Sequence, residues 1–286
     1  MKYDFIAQHA DCFEVEKMCR VLNVSRSGYY SNQDRGAPPH DVEDNRLKLE
    51  IKAIFNRYKG RVGSPAVRER LRRQGVSVGE NRVARLMHEM GLMAKGKRKF
   101  RHTTDSNHDL PISPNHLDRK FTVSAPNKVW VTDITYIRTR EGWLYLCVFV
   151  DLFSRLIVGY AMEDHMRTSL VTTALQRGYW RRKPPVGLLI HSDRGSQYAS
   201  SIFREMLKAC GMAQSMSRRG NCWDNAVGES VFHTLKVELV HEEDFHTRKE
   251  AKEKIIEYIE LYYNSVRLHS TLGQMSPMEF EQQESA

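Results

Sequence analysis

The sequence predicts an α/β protein in two parts. An all-α N-terminal region with a helix-turn-helix precedes a mixed five-stranded sheet with helices on both faces. Three observations predict this division. Residues 1–101 hold 22 Lys and Arg against 12 Asp and Glu, whereas residues 102–286 hold 22 against 23, so the basic excess belongs to the first third. At Lys128 the composition shifts sharply to runs of β-branched and aromatic residues. Before that point apolar residues recur at helical spacing; after it, strand-like runs alternate with helical stretches.

In the first part, Val15, Met18, Cys19 and Leu22 form a helical stripe that Asn23 breaks, and Ser25 can cap a second short turn toward Tyr29 and Tyr30. Leu47, Ile51, Ile54 and Phe55 predict a longer helix over 41–58. Ser64-Pro65 then reads as an N-cap and first helical position, with Gly75 ending that helix. Val83, Leu86, Met87 and Met90 predict a third helix stopped by Gly91. Two short helices joined by a tight Gly-containing turn read as a helix-turn-helix. Residues 57–101 alone hold 14 basic and 3 acidic side chains. Such a block beside a near-neutral remainder is the footprint of a nucleic-acid binder, against the plainer reading of a solvated helical bundle. Asn81, Arg82, Arg85 and His88, away from the apolar stripe, are candidates to reach bases or phosphates from a major groove. Lys97, Arg98, Lys99 and Arg101, in the run KGKRKFR, are candidates to track phosphates.

After a polar, Pro-containing linker, VWVTDITYI, WLYLCVFVDLF and LIVGYAM predict an antiparallel meander of three strands. A helix over 167–180 follows, and then GLLIHSD, continuous in apolar residues as a buried parallel strand is. Next come a helix to Cys210, a short strand near 212–216, a loop over Gly220–Asn225 and a helix over 226–240. The order β-β-β-α-β-α-β-α is that of an RNase H-like fold. A helix over 247–263 and a capping box at Ser276-Pro277-Met278-Glu279 complete the chain. The expected divisions are an N-terminal helical segment (1–40), a helix-turn-helix DNA-binding domain (41–101), a linker (102–126), an RNase H-like core (127–240) and a C-terminal helical extension (241–286).

Composition excludes several classes. Five cysteines, an odd number without C-x-x-C spacing, argue against a disulfide scaffold and a zinc module. No run approaches a membrane span, and no secretory signal opens the sequence, so the cytoplasm is the expected compartment.

Three carboxylates stand out. Asp133 interrupts the first strand, Asp193 closes the fourth, and Glu229 lies in the second turn of the 226–240 helix. A carboxylate inside an apolar strand is costly unless paired or metal-bound. Three converging acids would repel one another, and hard divalent cations, Mg²⁺ or Mn²⁺, resolve this through oxygen ligation. Two such ions can hold the attacking and leaving oxygens on either side of a phosphorus. Between Asp193 and Glu229 lie 35 residues, and Lys236 follows Glu229 by seven, almost two helical turns, so both share a face. Val227, Val231, Leu235 and Leu239 form the opposite stripe, expected to pack on the sheet.

The stretches MCRVLNVSRSGYY, VWVTDITYI, VFVDLFSRLIVGY, HSDRGSQY, NCWDNAVGESVFHTLKVEL and YYNSVRLHSTLGQMSP, in order along nearly the whole chain, resemble the OrfB-type transposases of the insertion sequence 3 family. These are bacterial DDE enzymes related to retroviral integrases. The resemblance implies that Asp133, Asp193 and Glu229 are the catalytic, metal-binding triad and Lys236 its associated basic residue. It implies DNA cleavage and joining: water attacks at an element end and frees a 3′-hydroxyl, which attacks a second strand in line. In this family the first attack joins one end to the other and leads to a circular intermediate. The implied partners are double-stranded DNA, as element ends and target, further copies of the chain on DNA, and an upstream OrfA-type helix-turn-helix protein or frameshift fusion. The implied location is the bacterial cytoplasm, at the nucleoid.

Other residues have plainer alternatives. Asp151 reads as a turn cap or sheet-edge residue, Asp224 and Asn225 as caps of the catalytic helix, and Trp130, Trp143 and Trp180 as core or sheet-face aromatics. Trp223 either packs or stacks on a base; His191 either orients Asp193 or contacts DNA. Arg194, with Gln197 and Tyr198, is a candidate to line the DNA groove, and Arg218 and Arg219 to hold a phosphate. Arg267 and His269 match the family without a derivable role. Two further functions compete, an RNase H-like nuclease and a non-catalytic DNA-binding regulator. Three intact acids speak against the regulator, and a basic recognition arm is superfluous in a plain nuclease.

Overall fold

The computed structural model describes residues 2–34, 39–96, 110–219 and 221–284. The chain divides into two compact units, residues 1–94 and 95–286. Lys97, Arg98, Lys99 and Arg101 lie outside the described residues.

The first unit begins with α1 (Lys2–Gln8), α2 (Val15–Val21) and α3 (Arg26–Asp34). Ile6, Met18, Cys19 and Tyr29 form their shared core. Asn23 breaks the chain between α2 and α3 by adopting φ 53°, and the Ser25 hydroxyl accepts from the Gly28 N–H at 3.0 Å, as expected of a cap. The sequence pattern gave no notice of α1, which contributes one buried residue, Ile6. Next come α4 (Pro39–Arg57), α5 (Ser64–Arg73) and α6 (Glu80–Glu89). Leu47, Ile51 and Ile54 of α4 meet Val67 and Leu71 of α5 and Val83, Leu86 and Met87 of α6 in a second core. The α5 cap is Gly63 rather than Ser64, and Ser64 is the first helical residue.

The second unit is built on one sheet of five strands in the order β3-β2-β1-β4-β5. β1 (Val129–Thr139), β2 (Gly142–Asp151) and β3 (Ile157–Glu163) form the antiparallel meander. β4 (Leu189–Ser192) and β5 (Ala213–Met216) run parallel to β1 and to each other. The connecting helices are α7 (Thr168–Arg182), α8 (Ser196–Ala199) and α9 (Ser201–Ala209). The chain closes with α10 (Ala226–Glu238), α11 (Arg248–Glu257), a π-helical turn over Tyr258–Tyr263 and α12 (Pro277–Glu284). The helix expected over 247–263 therefore widens in its last six residues. The Ser276–Glu279 capping box forms, with the Ser276 N–H donating to Glu279 at 2.9 Å.

Side chains alternate across the sheet. Trp130 faces α7 and α9 with Cys147, Phe149, Ile190 and Phe203. Val131 and Ile137 face the other way, toward Val231 and Leu235 of α10, Leu239 just past its end and Ile255 of α11. On the first face, Gly159 of β3 lets α7 approach to backbone contact: a Cβ there would sit 2.5 Å from the Ala174 carbonyl oxygen. The expected linker over 102–126 is not a free tether throughout. Leu117 is buried in the core, and the Ser215 hydroxyl accepts the N–H groups of His116 and Leu117 at 2.9 and 3.2 Å.

Candidate active site

Strand register accounts for the first two acids. Val131 pairs with His191 across the parallel β1–β4 ladder, so Asp133 and Asp193, each two residues further on, emerge side by side at the end of β4. Asp133 shares the parity of Val131 and Ile137 and thus the α10 face. Glu229 lies in the first turn of α10, one turn earlier than the sequence suggested. The helix reaches β1 closely because residue 228 is Gly: a Cβ there would lie 3.2 Å from the Asp133 Cβ and from the Asn225 amide. Asn225 Nδ2 donates to the Thr132 carbonyl oxygen at 3.2 Å, tying the start of α10 to the residue before Asp133.

Electrostatics marks the same spot. Burial pushes the Asp133 carboxyl well above the usual range, and the charges of Asp193 and Glu229 push it further; the Ile134 N–H and Lys236 oppose the rise. Lys236 is half-buried, and burial lowers its ammonium pKa against the pull of Asp133. Its Nζ stands 5.0 Å from the centre of the Tyr136 ring. Asp133, Asp193, Glu229 and Lys236 are thus all half-buried, and the charges of the other three act on Asp133. This is an oxygen-rich donor set of the chemistry that a hard divalent cation takes, although the three carboxylates do not all lie within 4.8 Å of one another. Behind the strand, on the opposite face, Thr132 Oγ1 and the Tyr198 hydroxyl lie 3.0 Å apart and Cys147 Sγ is 3.6 Å from Thr132. Burial raises the Cys147 thiol to about 12, so it is no thiolate ligand or nucleophile.

A family model described as an integrase core domain matches residues 123–222, and a second of the same description matches 229–284. A model of an HTH-like domain matches residues 42–100. An uncharacterized 31 kDa protein of insertion element IS600 from Shigella sonnei is 46% identical over 265 residues, covering 93% of this chain and 97% of that protein. Transposase InsF for insertion sequence IS3A from Escherichia coli (strain K12) is 43% identical over 283 residues, covering 98% of each chain. The chain belongs to the IS3 transposase family. As an IS3-type transposase with an integrase core, it is by class a polynucleotidyl transferase. The integrase catalytic core domain of HTLV-2, solved in complex with magnesium, is 16% identical with a TM-score of 0.43, covering 55% of this chain and 97% of that one.

The transposase's other candidate residues fall into two groups. Asn81, Arg85 and His88 are exposed on α6 and Arg82 is half-buried. Both arginines are engaged inside their own unit. Arg82 pairs with Glu43 and Asp44 at 2.8 and 2.7 Å, and Arg85 with Asp44 and Glu89 at 2.7 and 2.6 Å. The bonds from Arg85 and Arg82 hold the buried Asp44 carboxyl down at about 2. Near the triad, Arg194 Nε donates to the Ser217 carbonyl oxygen at 2.7 Å, and Arg219 is exposed. Arg218 binds Asp224 through Nε and Nη2 at 2.9 and 2.8 Å.

Several expectations are corrected. Asp224 and Asn225 do not cap α10 with their side chains. Asp224 is instead a fully buried hub, accepting from Arg218, from Arg119 Nε at 2.8 Å and from Asn115 Nδ2 at 3.0 Å. His191 neither orients Asp193 nor faces solvent: it is buried between the Ser215 and Ser217 hydroxyls at 2.8 and 3.2 Å, and burial lowers its pKa to about 4. Asp151 does cap a turn, accepting the N–H groups of Asn127 and Phe153 at 2.7 and 2.9 Å. Trp180 of α7 is exposed rather than core, edge-on to Tyr179, whereas Trp143 of β2 is the sheet-face aromatic expected, exposed and edge-on to Tyr136 of β1. Arg267 gains a role: its Nε donates to Glu238, the last residue of α10, at 2.9 Å, and Tyr258 donates to the same carboxylate at 2.7 Å. His269 stands edge-on to Tyr263 beside that pair.

Proposed function

We propose that this transposase cleaves and joins DNA strands at Asp133, Asp193 and Glu229, with Lys236 beside them, using two Mg²⁺ or Mn²⁺ ions held by the three carboxylates. The observation that carries the reading is the acid cluster around Asp133, whose carboxyl is forced upward by burial and by two carboxylate neighbours. When bound, divalent cations would neutralise that cluster and polarise water, a 3′-hydroxyl and a phosphodiester for in-line displacement. The chain's own residues do the rest. Asp133 and Asp193 are fixed by neighbouring parallel strands, so the ligands are presented from rigid backbone. Glu229 comes from a separate helix, seated by the Gly228 approach. Lys236, two turns along α10, is positioned to meet a phosphate beside the acids.

In this reading residues 41–101 bind the element ends through α6 and the basic run after it, with Asn81, Arg82, Arg85, His88, Lys97, Arg98, Lys99 and Arg101 as contacts. Arg194, Arg218 and Arg219 follow the DNA near the triad. The divisions at 1–40, 102–126, 127–240 and 241–286 are the corresponding segment, linker, core and extension, with the later part of the linker seated on the core. Two ends must meet, so several copies assemble on DNA. An upstream OrfA-type helix-turn-helix protein, separate or fused, shares end recognition. Its place of action is the bacterial cytoplasm, at the nucleoid. No helix among the described residues is long and apolar enough to cross a membrane.

The test is a strand-transfer assay on labelled DNA of the element's own ends with Mg²⁺ or Mn²⁺. Joined product is expected from wild type and not from Asp193→Asn, with DNA binding retained in both. Nicks without joining would instead favour a nuclease, and undiminished joining by Asp193→Asn would sink the triad assignment.

A further inference from the structure

Four tryptophans occur in the chain; one is buried and two, though exposed, meet a tyrosine ring. Trp130 is buried, Trp143 stands edge-on to Tyr136 at 4.9 Å, and Trp180 edge-on to Tyr179 at 5.6 Å. Trp223 differs. It is 69% exposed, and no ring of the described residues stacks on it.

Its backbone is nevertheless held firmly. Trp223 lies in the tight turn Cys222–Asn225 that leads directly into α10. The next residue, Asp224, is fully buried and fastened by Arg218, Arg119 and Asn115. The residue after that, Asn225, is bonded to the Thr132 carbonyl beside Asp133. An apolar ring is therefore presented to solvent within two residues of an anchor on the active-site strand. Arg218 and the exposed Arg219 precede it, and Arg119 joins Arg218 at Asp224; the carboxylates of Asp118 and Asp224 offset two of these charges, leaving a net positive charge among the five groups. A flat apolar face in a basic setting suits a nucleobase, through stacking that tolerates any sequence. In an intact duplex both faces of an internal base are covered, so the base that fits must be unpaired or terminal.

We infer that Trp223 is a stacking platform for one unpaired nucleobase at the DNA end bound beside α10; this rests on the DNA-joining reading of the same site. The platform sets where the end stops along the site, while Asp224 holds the ring in place.

The experiment uses the full chain with Asp193→Asn added, so that binding is read without turnover. The probe is an element-end duplex with a short unpaired terminus, carrying 2-aminopurine at each terminal position in turn. Wild type at position 223 should quench 2-aminopurine at one position. Trp223→Ala should lose that quenching and bind the unpaired-end duplex roughly ten- to a hundredfold more weakly. Trp223→Phe should restore much of both, and a blunt internal duplex should bind all three alike. Equal quenching and affinity for Trp and Ala at every position would overturn the proposal. So would a loss that appears equally on the internal duplex, or a changed oligomeric state with unchanged end binding, which would make Trp223 a protein contact. Strand transfer by the chain with Asp193 intact is scored separately. A platform without joining leaves this inference standing and removes the transposition chemistry; joining without a platform does the reverse.

Discussion

Asp224→Asn is the most informative single change outside the triad. The Asp224 carboxylate accepts five hydrogen bonds: Oδ1 from Arg119 Nε and Arg218 Nη2, and Oδ2 from Asn115 Nδ2, Arg218 N–H and Arg218 Nε. The Arg218 bonds draw its pKa well below the usual carboxylate range despite burial. An asparagine keeps one acceptor and turns an NH₂ toward groups that are themselves donors. Bonds to charged groups contribute about 1.5–3 kcal/mol each. The loss is smaller than their sum, because the Arg119 and Arg218 side chains are 44% and 48% exposed and regain water. A cost of about 2–4 kcal/mol is expected, read as a fall in melting temperature of about 5–15 °C for a unit of this size. Because the folded pKa is depressed, the carboxylate's contribution is complete above the unfolded value near ~3.9 and fades as pH falls through the folded one. Urea unfolding followed by circular dichroism at pH 7 and again near pH 3 measures both. A gap between wild type and variant below about 0.5 kcal/mol at pH 7, or one unchanged at pH 3, would refute the reasoning.

Gly228→Ala should lower strand transfer by about ten- to a hundredfold while shifting thermal stability little. Its methyl meets the Asp133 Cβ at 3.2 Å and moves α10, whereas alanine favours the helix; unimpaired joining would show that this approach does not set the site geometry. His191 supplies the pH dependence on the acid side. Its pKa is lowered by burial from 6.5 to about 4, so the unfolded chain takes up the proton first. Its contribution of about 3 kcal/mol is whole above pH ~6.5 and is lost as pH falls toward about 4, and an imidazole NMR titration centred near 6.5 would contradict it.

The parts of this protein that were legible in the sequence are those governed by local periodicity. Val131 and Ile137 alternate as strand residues, Val231, Leu235 and Leu239 recur as a helix stripe, and Asp133 is conspicuous because it interrupts an apolar strand. What stayed hidden depends on partners distant in sequence. Asp224 looks like a helix cap beside Ala226, yet its partners Asn115 and Arg119 come from more than a hundred residues earlier. Arg267 has no local pattern, since Glu238 lies 29 residues before it. The stretch around Leu117 reads as polar linker because its apolar residues are few, the buried Leu117 with the partly buried Phe121 and Val123, and hydrogen bonds to Ser215 and Asp224 help seat it. His191 sits two residues from Asp193 and shares its strand parity, but the Ser215 and Ser217 hydroxyls of the neighbouring segment bind its ring in the interior.

The basic N-terminal block shows why a count of charges is not a map of them. Asp44 and Glu69 are both buried, and each binds two arginines: Arg82 and Arg85 on Asp44, Arg72 and Arg73 on Glu69. Arg70 lies over the Tyr58 ring at 3.6 Å and donates to its hydroxyl at 2.7 Å. Arg82 and Arg85 thus tie α6 to α4 and Arg70 ties α5 to the residue after α4, while Arg72 and Arg73 pair within α5, so five basic side chains are engaged inside the unit as well as adding to its field. A buried carboxylate stripped of its cation is strongly destabilising, so removing Arg82 or Arg85 weakens the fold around Asp44 along with any contact to DNA. Loss of DNA binding in such a variant therefore carries meaning only beside its unfolding curve. The exposed, uncharged Asn81 and the exposed His88 on the same helix test groove recognition more cleanly, because among the described residues no buried carboxylate bonds to them.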